Sequence, residues 1–143
     1  MRKTQLVLLT LVLFLSGCAC KAPLQVMGKE SRLSFVVKDP YRIATLEVSE
    51  WNEDGQRTPK WRIEGASLEG VYYATHSADF ETTYEPARLG SGVYSVTFEC
   101  VSKDGKRCKS EQLFAIPAPD GAALECKSRQ ECQSLVLAKV TAR

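Results

Sequence analysis

The stretch Leu89-Gly90-Ser91-Gly92-Val93-Tyr94-Ser95-Val96-Thr97-Phe98 decides how this chain folds. Two glycines around a serine make a turn. Directly after it, Tyr94, Val96 and Phe98 alternate with Ser95 and Thr97, the two-residue period of a strand with one buried face. Further on, Lys103-Asp104-Gly105-Lys106 fits a three-residue hairpin loop with Gly105 in the left-handed region and a bulge, and residues 109–116 return as the partner strand. Counting outward from the loop, residue 102 faces 106 and Cys100 faces Cys108. That places the two cysteines within disulfide reach, but in a hydrogen-bonded pair, where bridges are strained more often.

A turn feeding a strand with an early tyrosine resembles the tyrosine corner of fibronectin type III and immunoglobulin-like domains. The resemblance implies that the Tyr94 hydroxyl bonds back to upstream backbone and pins a sheet-to-sheet crossover. The expected fold class is an all-β, immunoglobulin/fibronectin type III-like β-sandwich, preceded by a cleaved signal peptide and a short tether. The chain lacks the paired cysteines that join the two facing sheets of immunoglobulin domains.

Upstream, short alternating runs broken by turn residues continue the strand texture. Residues 32–37 form a first strand, Asp39-Pro40 punctuates, and residues 42–50 form a second with Ala44, Leu46 and Val48 on one face. Residues 51–61 are polar in the middle with a tryptophan at each end and read as a loop. Trp61 and Ile63 share the core face of the strand that follows. Residues 70–75 form a fourth strand. The longer polar segment 76–84 carries Phe80 and Tyr84, and Glu85-Pro86 disfavours a helix there. Trp51 at the loop mouth, Phe80 and Tyr84 are the candidate binding residues, because long loops carry function more often than short ones. The plainer reading of segment 76–84 is an edge strand whose rings plug the core.

Downstream, Ile116-Pro117-Ala118-Pro119-Asp120-Gly121 breaks the chain. Ser128-Arg129-Gln130-Glu131 is a capping-box pattern ahead of residues 133–140. Alternatively, residues 135–140 form a strand closing on 122–126, and this is the favoured reading.

At the other end, basic Met1-Arg2-Lys3 and the apolar run 6–15 have the layout of a secretory signal peptide. The run spans about 15 Å as a helix, half of a hydrocarbon core. It ends in Leu15-Ser16-Gly17-Cys18, which resembles the lipobox of bacterial lipoproteins. The resemblance implies diacylglyceryl transfer to the Cys18 sulfur, cleavage after Gly17 and acylation of the new amine. Ala19, in place of an aspartate, resembles an outer-membrane address. The expected division is signal peptide 1–17, lipidated N-terminus and tether 18–30, β-sandwich 31–118, and residues 119–143 as a disulfide-containing extension of the same domain.

Losing residues 1–17 removes two of the 19 basic residues, which leaves as many bases as the 17 acids. A near-neutral surface without a basic stripe argues against nucleic acid. Six cysteines in an exported chain read first as disulfides. With Cys18 lipidated, local spacing favours Cys100 with Cys108 and Cys126 with Cys132, leaving Cys20 over. A crossed pairing of Cys100 or Cys108 with Cys126 or Cys132 stays open. There is no CxxC pair and one histidine, His76, so no metal site is expected. Cofactors are expected to be none.

Nucleophile, base and orienter do not come together in the sequence. Gly90-Ser91-Gly92 is not a nucleophile elbow, and Glu50, Glu53, Asp54, Asp79 and Glu81 are not separable from a solvated rim. No catalytic residue is assigned. The expectation is a lipid-anchored envelope lipoprotein, outer-membrane and facing the periplasm, that acts as a non-catalytic protein-binding or structural module for another envelope protein. An inhibitor or immunity-type lipoprotein that blocks an enzyme such as lysozyme is the nearest alternative. A periplasmic hydrolase is the alternative from another class.

Overall fold

The alternation around Tyr94 is realised as one of the two central strands of a six-stranded sheet. The computed structural model describes residues 24–141. In chain order the strands are Leu24–Met27 (β1), Ser34–Val37 (β2), Tyr41–Trp51 (β3), Arg57–Glu64 (β4), Gly70–Tyr72 (β5), Glu81–Tyr84 (β6), Gly92–Ser102 (β7), Arg107–Ile116 (β8) and Leu124–Cys126 (β9), followed by the helix Arg129–Thr141 (α1). A 3-10 turn, Glu30–Arg32, links β1 to β2. Two antiparallel sheets, β1-β2-β5 and β6-β4-β3-β7-β8-β9, pack as an all-β sandwich. No helix among the described residues is long and apolar enough to cross a membrane.

Inward positions of the alternation fill the space between the sheets. Phe35, Leu46, Trp61, Tyr94, Val96 and Phe114 are all fully buried. Phe114 stacks on Tyr94 with ring centroids 5.4 Å apart and meets Phe35 edge-on at 6.1 Å. The hydrogen bond that the resemblance implied is present, but β6 and β7 belong to the same six-stranded sheet, so it closes a turn within that sheet and not a sheet-to-sheet crossover. Tyr94 Oη donates to the Gly90 carbonyl at 2.7 Å and accepts from the Gly90 N–H at 2.9 Å. Burial first, then the nearby Glu50 carboxylate, pushes the Tyr94 phenol far above its ordinary range.

The two sheets are also tied along their edges. Glu30 N–H bonds the Gly121 carbonyl and Ala123 N–H the Gly28 carbonyl, while the Glu125 carboxylate accepts from Val26 N–H at 2.7 Å. On the other side, Ile43 and Leu68 exchange backbone hydrogen bonds and Ala66 N–H bonds Ala44. Open strand edges are an aggregation hazard, and these contacts cover the outward N–H of β1.

Three segments differ from expectation. Residues 24–30, assigned to the tether, are β1 and the turn after it. Leu24 and Val26 are buried while Gln25 and Met27 are exposed, a two-residue period too short to register in the sequence. The expected loop 51–61 shrinks to a turn of residues 52–56, because β3 runs through Trp51 and β4 starts at Arg57. Gly55, at φ 79°, supplies the left-handed step, and the Asn52 side chain accepts from Gln56 N–H at 2.8 Å.

The tail is the third: it is a helix, not a strand. Ser128 Oγ caps Glu131 N–H at 3.1 Å, and the Glu131 carboxylate reaches back to Lys127 N–H. Cys132, Leu135 and Val136, at helical spacing, bury against Val93, Leu113 and Ala115.

Candidate functional site

Each strand of the larger sheet has a second face, pointing away from the sandwich core, and its two halves differ in side-chain chemistry. Strand register sets the rows. Arg57, Trp51, Val93, Ala115 and Leu124 lie side by side across β4, β3, β7, β8 and β9. Below them, Ser49, Ser95, Leu113 and Cys126 form the next row. Helix α1 covers the middle of both rows, where Val93, Ala115 and Ser95 are buried, as is Ser49, while Arg57 and Leu124 at the ends of the first row stay exposed. The Cys126–Cys132 disulfide, with Cα atoms 5.5 Å apart, joins the first turn of α1 to β9.

Trp51 is part of that seal. The guanidiniums of Arg57 and Arg129 lie over its ring, 5.1 and 4.8 Å from the centroid, and its side chain packs against the buried cluster of Val93, Ala115, Cys126 and Cys132. Such contacts contribute roughly 0.5–1 kcal/mol each at exposed sites. They bind the helix N-terminus to the β3–β4 hairpin, and the ring is therefore occupied by the molecule's own cations.

The next rows carry charge and stay open to solvent. Arg62, Glu47, Thr97 and Glu111 lie in register across β4, β3, β7 and β8, with Tyr84 of β6 at the end beside Arg62. Thr45, Glu99 and Lys109 form the following row. Arg62 is held between two acids: Nη1 donates to Glu47 at 2.8 Å, and Nη2 and Nε donate to Glu64 at 2.6 and 3.0 Å. Those bonds, the Glu64 one first, raise its pKa further. Ser49 Oγ donates to the other oxygen of Glu47 at 3.2 Å, so that carboxylate is fixed from two sides. Arg57 reaches Glu111 at 3.9 Å and Arg107 reaches Glu99 at 2.8 Å.

Two shallow grooves of about 460 and 570 Å³ run over this half-face and share Thr45 and Glu99. The first is floored by the charged rows. The second continues between the β7–β8 hairpin and the segment 65–67, past Arg42, Lys103 and Arg107. Fixed, alternating charges on a broad surface favour recognition of a surface with the opposite pattern over enclosure of a small molecule.

The three candidate binding aromatics are not brought together. Trp51 belongs to the helix seal, Phe80 is half-buried against the main core, and Tyr84 is 46% exposed on edge strand β6. Tyr84 alone adjoins the charged half-face. His76 Nε2 lies 3.2 Å from Glu85 on the surface. Among the described residues no group of three histidine, cysteine or acidic side chains could hold a metal ion.

The cysteines divide differently from the expected local pairing. Cys126 and Cys132 are joined, but Cys100 is free and buried. Cys108 faces it in register, yet is disulfide-bonded elsewhere. The pair sits at a hydrogen-bonded position, one step from the Ser102–Lys106 backbone bond's own register, where side chains stand farther apart. Burial, then Glu99, pushes the Cys100 thiol up to about 11. Cys18, the expected lipidation residue, lies outside the described residues.

Sequence reasoning missed the charged half-face. Its members are the polar positions of strands recognised for their apolar ones, and β3 neighbours β7 across a long connection that spacing alone does not reveal. The signal present was the alternation of polar or charged with other residues in 45–49, 62–64, 97–99 and 107–111, where Glu47, Arg62, Glu64, Glu99, Arg107, Lys109 and Glu111 share one strand face.

No protein-family model, curated protein or solved structure matches the chain.

Proposed function

We propose that this chain is a lipid-anchored lipoprotein of a bacterial cell envelope, held at the outer membrane through Cys18 and facing the periplasm, whose sandwich is a non-catalytic module that binds another envelope protein. The recognition surface is the open half of the outer sheet face, centred on Glu47, Arg62, Thr97 and Glu111. One observation carries the reading: the same sheet face is sealed by a stapled helix over two rows and left open where fixed ion pairs begin. Arg62, held between Glu47 and Glu64, is pre-organised, which lowers the cost of ordering on association. Supporting the anchor are the basic start, the short apolar run and Leu15-Ser16-Gly17-Cys18. Two or more acyl chains give stable attachment where one does not.

The test places a photo-cross-linking residue at Thr97 and, as a control, at Asp120 in the intact lipoprotein within its own envelope. The expected result is one discrete protein adduct from position 97 and none from 120. Adducts from 120 alone, or from neither, overturn the surface. An unmodified thiol at Cys18 in the exported product overturns the anchor. A lysozyme as the captured partner would narrow the reading to an inhibitor.

A further inference from the structure

The chain has six cysteines. Cys126 and Cys132 hold each other and Cys100 is free, while Cys108 is disulfide-bonded. The sequence's two remaining cysteines, Cys18 and Cys20, lie outside the described residues. Resting on the lipoprotein reading, in which the Cys18 sulfur is a thioether, we propose that Cys20 forms a disulfide with Cys108 and so staples the lipidated end of the chain to the β7–β8 hairpin end of the sandwich.

The strand register puts both ends of this bond in one neighbourhood. Leu24, the first described residue, pairs with Val37, immediately before the turn at residues 38–40. Tyr41, just after that turn, pairs with Ser102 at the base of the β7–β8 hairpin. The N-terminal chain, the β2–β3 turn and the hairpin thus share one end of the sandwich, and Cys108 opens β8 there, buried in the same core cluster as Leu24 and Val37. Leu24 follows Cys20 by four positions, an extended reach of about 14 Å. The bond forms by exchange with a disulfide oxidant of the exported compartment: the two thiols give up two protons and two electrons, and the oxidant leaves as a dithiol.

The bridge fixes which end faces the bilayer. With Cys20 two residues from the acylated Cys18, the end that carries Lys38, Arg42, Lys103, Lys106 and Arg107 lies against the headgroups. Arg42 pairs there with Glu69, Lys103 with Asp39 and Arg107 with Glu99, so the five bases face the four acids Asp39, Glu69, Glu99 and Asp104, and the positive excess offered to anionic lipid is small. The helix-sealed rows then point toward the periplasm.

The test is disulfide mapping of the mature lipoprotein, purified in detergent, alkylated under denaturing conditions without reductant and digested. The expected map links the Cys20 and Cys108 peptides, leaves Cys100 alkylated and shows acyl mass on Cys18. Acylated Cys18 with alkylated Cys20, or Cys108 linked to Cys100, overturns the bridge and leaves the anchor standing. Bare Cys18 with an intact Cys20–Cys108 link overturns the anchor and leaves the bridge. A second arm reconstitutes the lipoprotein in vesicles containing headgroup-spin-labelled anionic lipid. A tryptophan placed by Lys106→Trp is expected to be quenched several-fold more than the native Trp51 and Trp61, and Cys108→Ala to reduce that difference. Equal quenching of all three overturns the orientation.

Discussion

Two stretches of the same outer sheet face, separated by one step of the strand alternation, have opposite fates. At Val93 and Ser95 strand β7 is buried beneath α1; at Thr97 and Glu99 it is partly exposed. Strand β7 keeps its register with β3 and β8 through both, and only the β3–β4 pairing shifts, by a bulge between Val48 and Ser49. The covered rows offer Trp51, Val93, Leu113 and Ala115, whose burial contributes roughly 25 cal/mol per Å² of apolar surface removed from water. The open rows offer Glu47, Arg62, Glu99, Lys109 and Glu111, whose desolvation under a helix would cost more than mutual pairing returns. The chemistry of five or six side chains, rather than the sheet itself, decides where the helix stops.

The largest test of this comparison puts one charge in both places. Val93→Lys sets an ammonium beneath α1, in register with the ring over which Arg57 and Arg129 lie, and is expected to cost about 3 kcal/mol. Thr97→Lys, on the same strand and face, lies in register with Glu47 and Glu111 and is expected to change stability by less than about 0.5 kcal/mol. Chemical denaturation of the two variants gives the contrast; equal losses would mean that the seal does not depend on apolar burial. Next in size, Cys126→Ala with Cys132→Ala removes a staple across a short loop. A loss of about 2 kcal/mol is expected, together with faster amide exchange in α1 and unchanged exchange in β3 and β7. A uniform rise in exchange would show that the helix and sheet unfold as one unit.

The sandwich was legible in the sequence because its strands bury alternate residues, and period two is visible wherever a strand exceeds five residues. The hairpin at Gly105 and the corner at Tyr94 were legible for the same local reason: both are fixed by a few adjacent residues. β1 was not, since two buried residues, Leu24 and Val26, make no pattern. Nor was α1. Its buried stripe is only Cys132, Leu135 and Val136, and Leu137 stands 63% exposed, so the apolar run looked like a strand until the disulfide and Trp51 gave it something to cover. Cys100 facing Cys108 was counted correctly, yet register is not bonding. The partner of Cys108 depends on how the chain ends converge, which is a property of the whole fold.

Smaller effects come from what both halves share. Strand β7 begins at the corner, so Tyr94→Phe should weaken the sealed and open halves together, by about 1–1.5 kcal/mol for one buried hydroxyl with two backbone partners. A fall in the exchange protection of α1 without a fall in β8 would contradict that. The core side also answers to alkali. Tyr73, half-buried edge-on to Trp61 with centroids 5.2 Å apart and donating to the Ala87 carbonyl, is pushed by burial up to about 12 against an ordinary 10. Its protonated form is favoured in the folded state. The stability it contributes is complete below pH 10 and is lost as pH rises toward 12. Tyr73→Phe should flatten that stretch of a stability-against-pH curve, and an unchanged slope would place the alkaline loss elsewhere.

The smallest expected effect belongs to the open rows, and its smallness is informative. Arg62→Gln removes both the Glu47 and Glu64 pairs, but the three side chains are 40, 27 and 42% exposed. Pairs of that exposure contribute at most about 1 kcal/mol and are screened by salt. Stability should therefore fall by about 0.5 kcal/mol in dilute buffer and hardly at all near 1 M salt, where the Debye length shrinks to about 3 Å. If the half-face is a recognition surface, the same substitution should abolish the position-97 cross-link while the fold stays intact, since Arg62 orders the carboxylates a partner would meet. A large, salt-independent loss of stability would instead make Arg62 a structural post of the sheet, and the open half would then differ from the sealed half in exposure only.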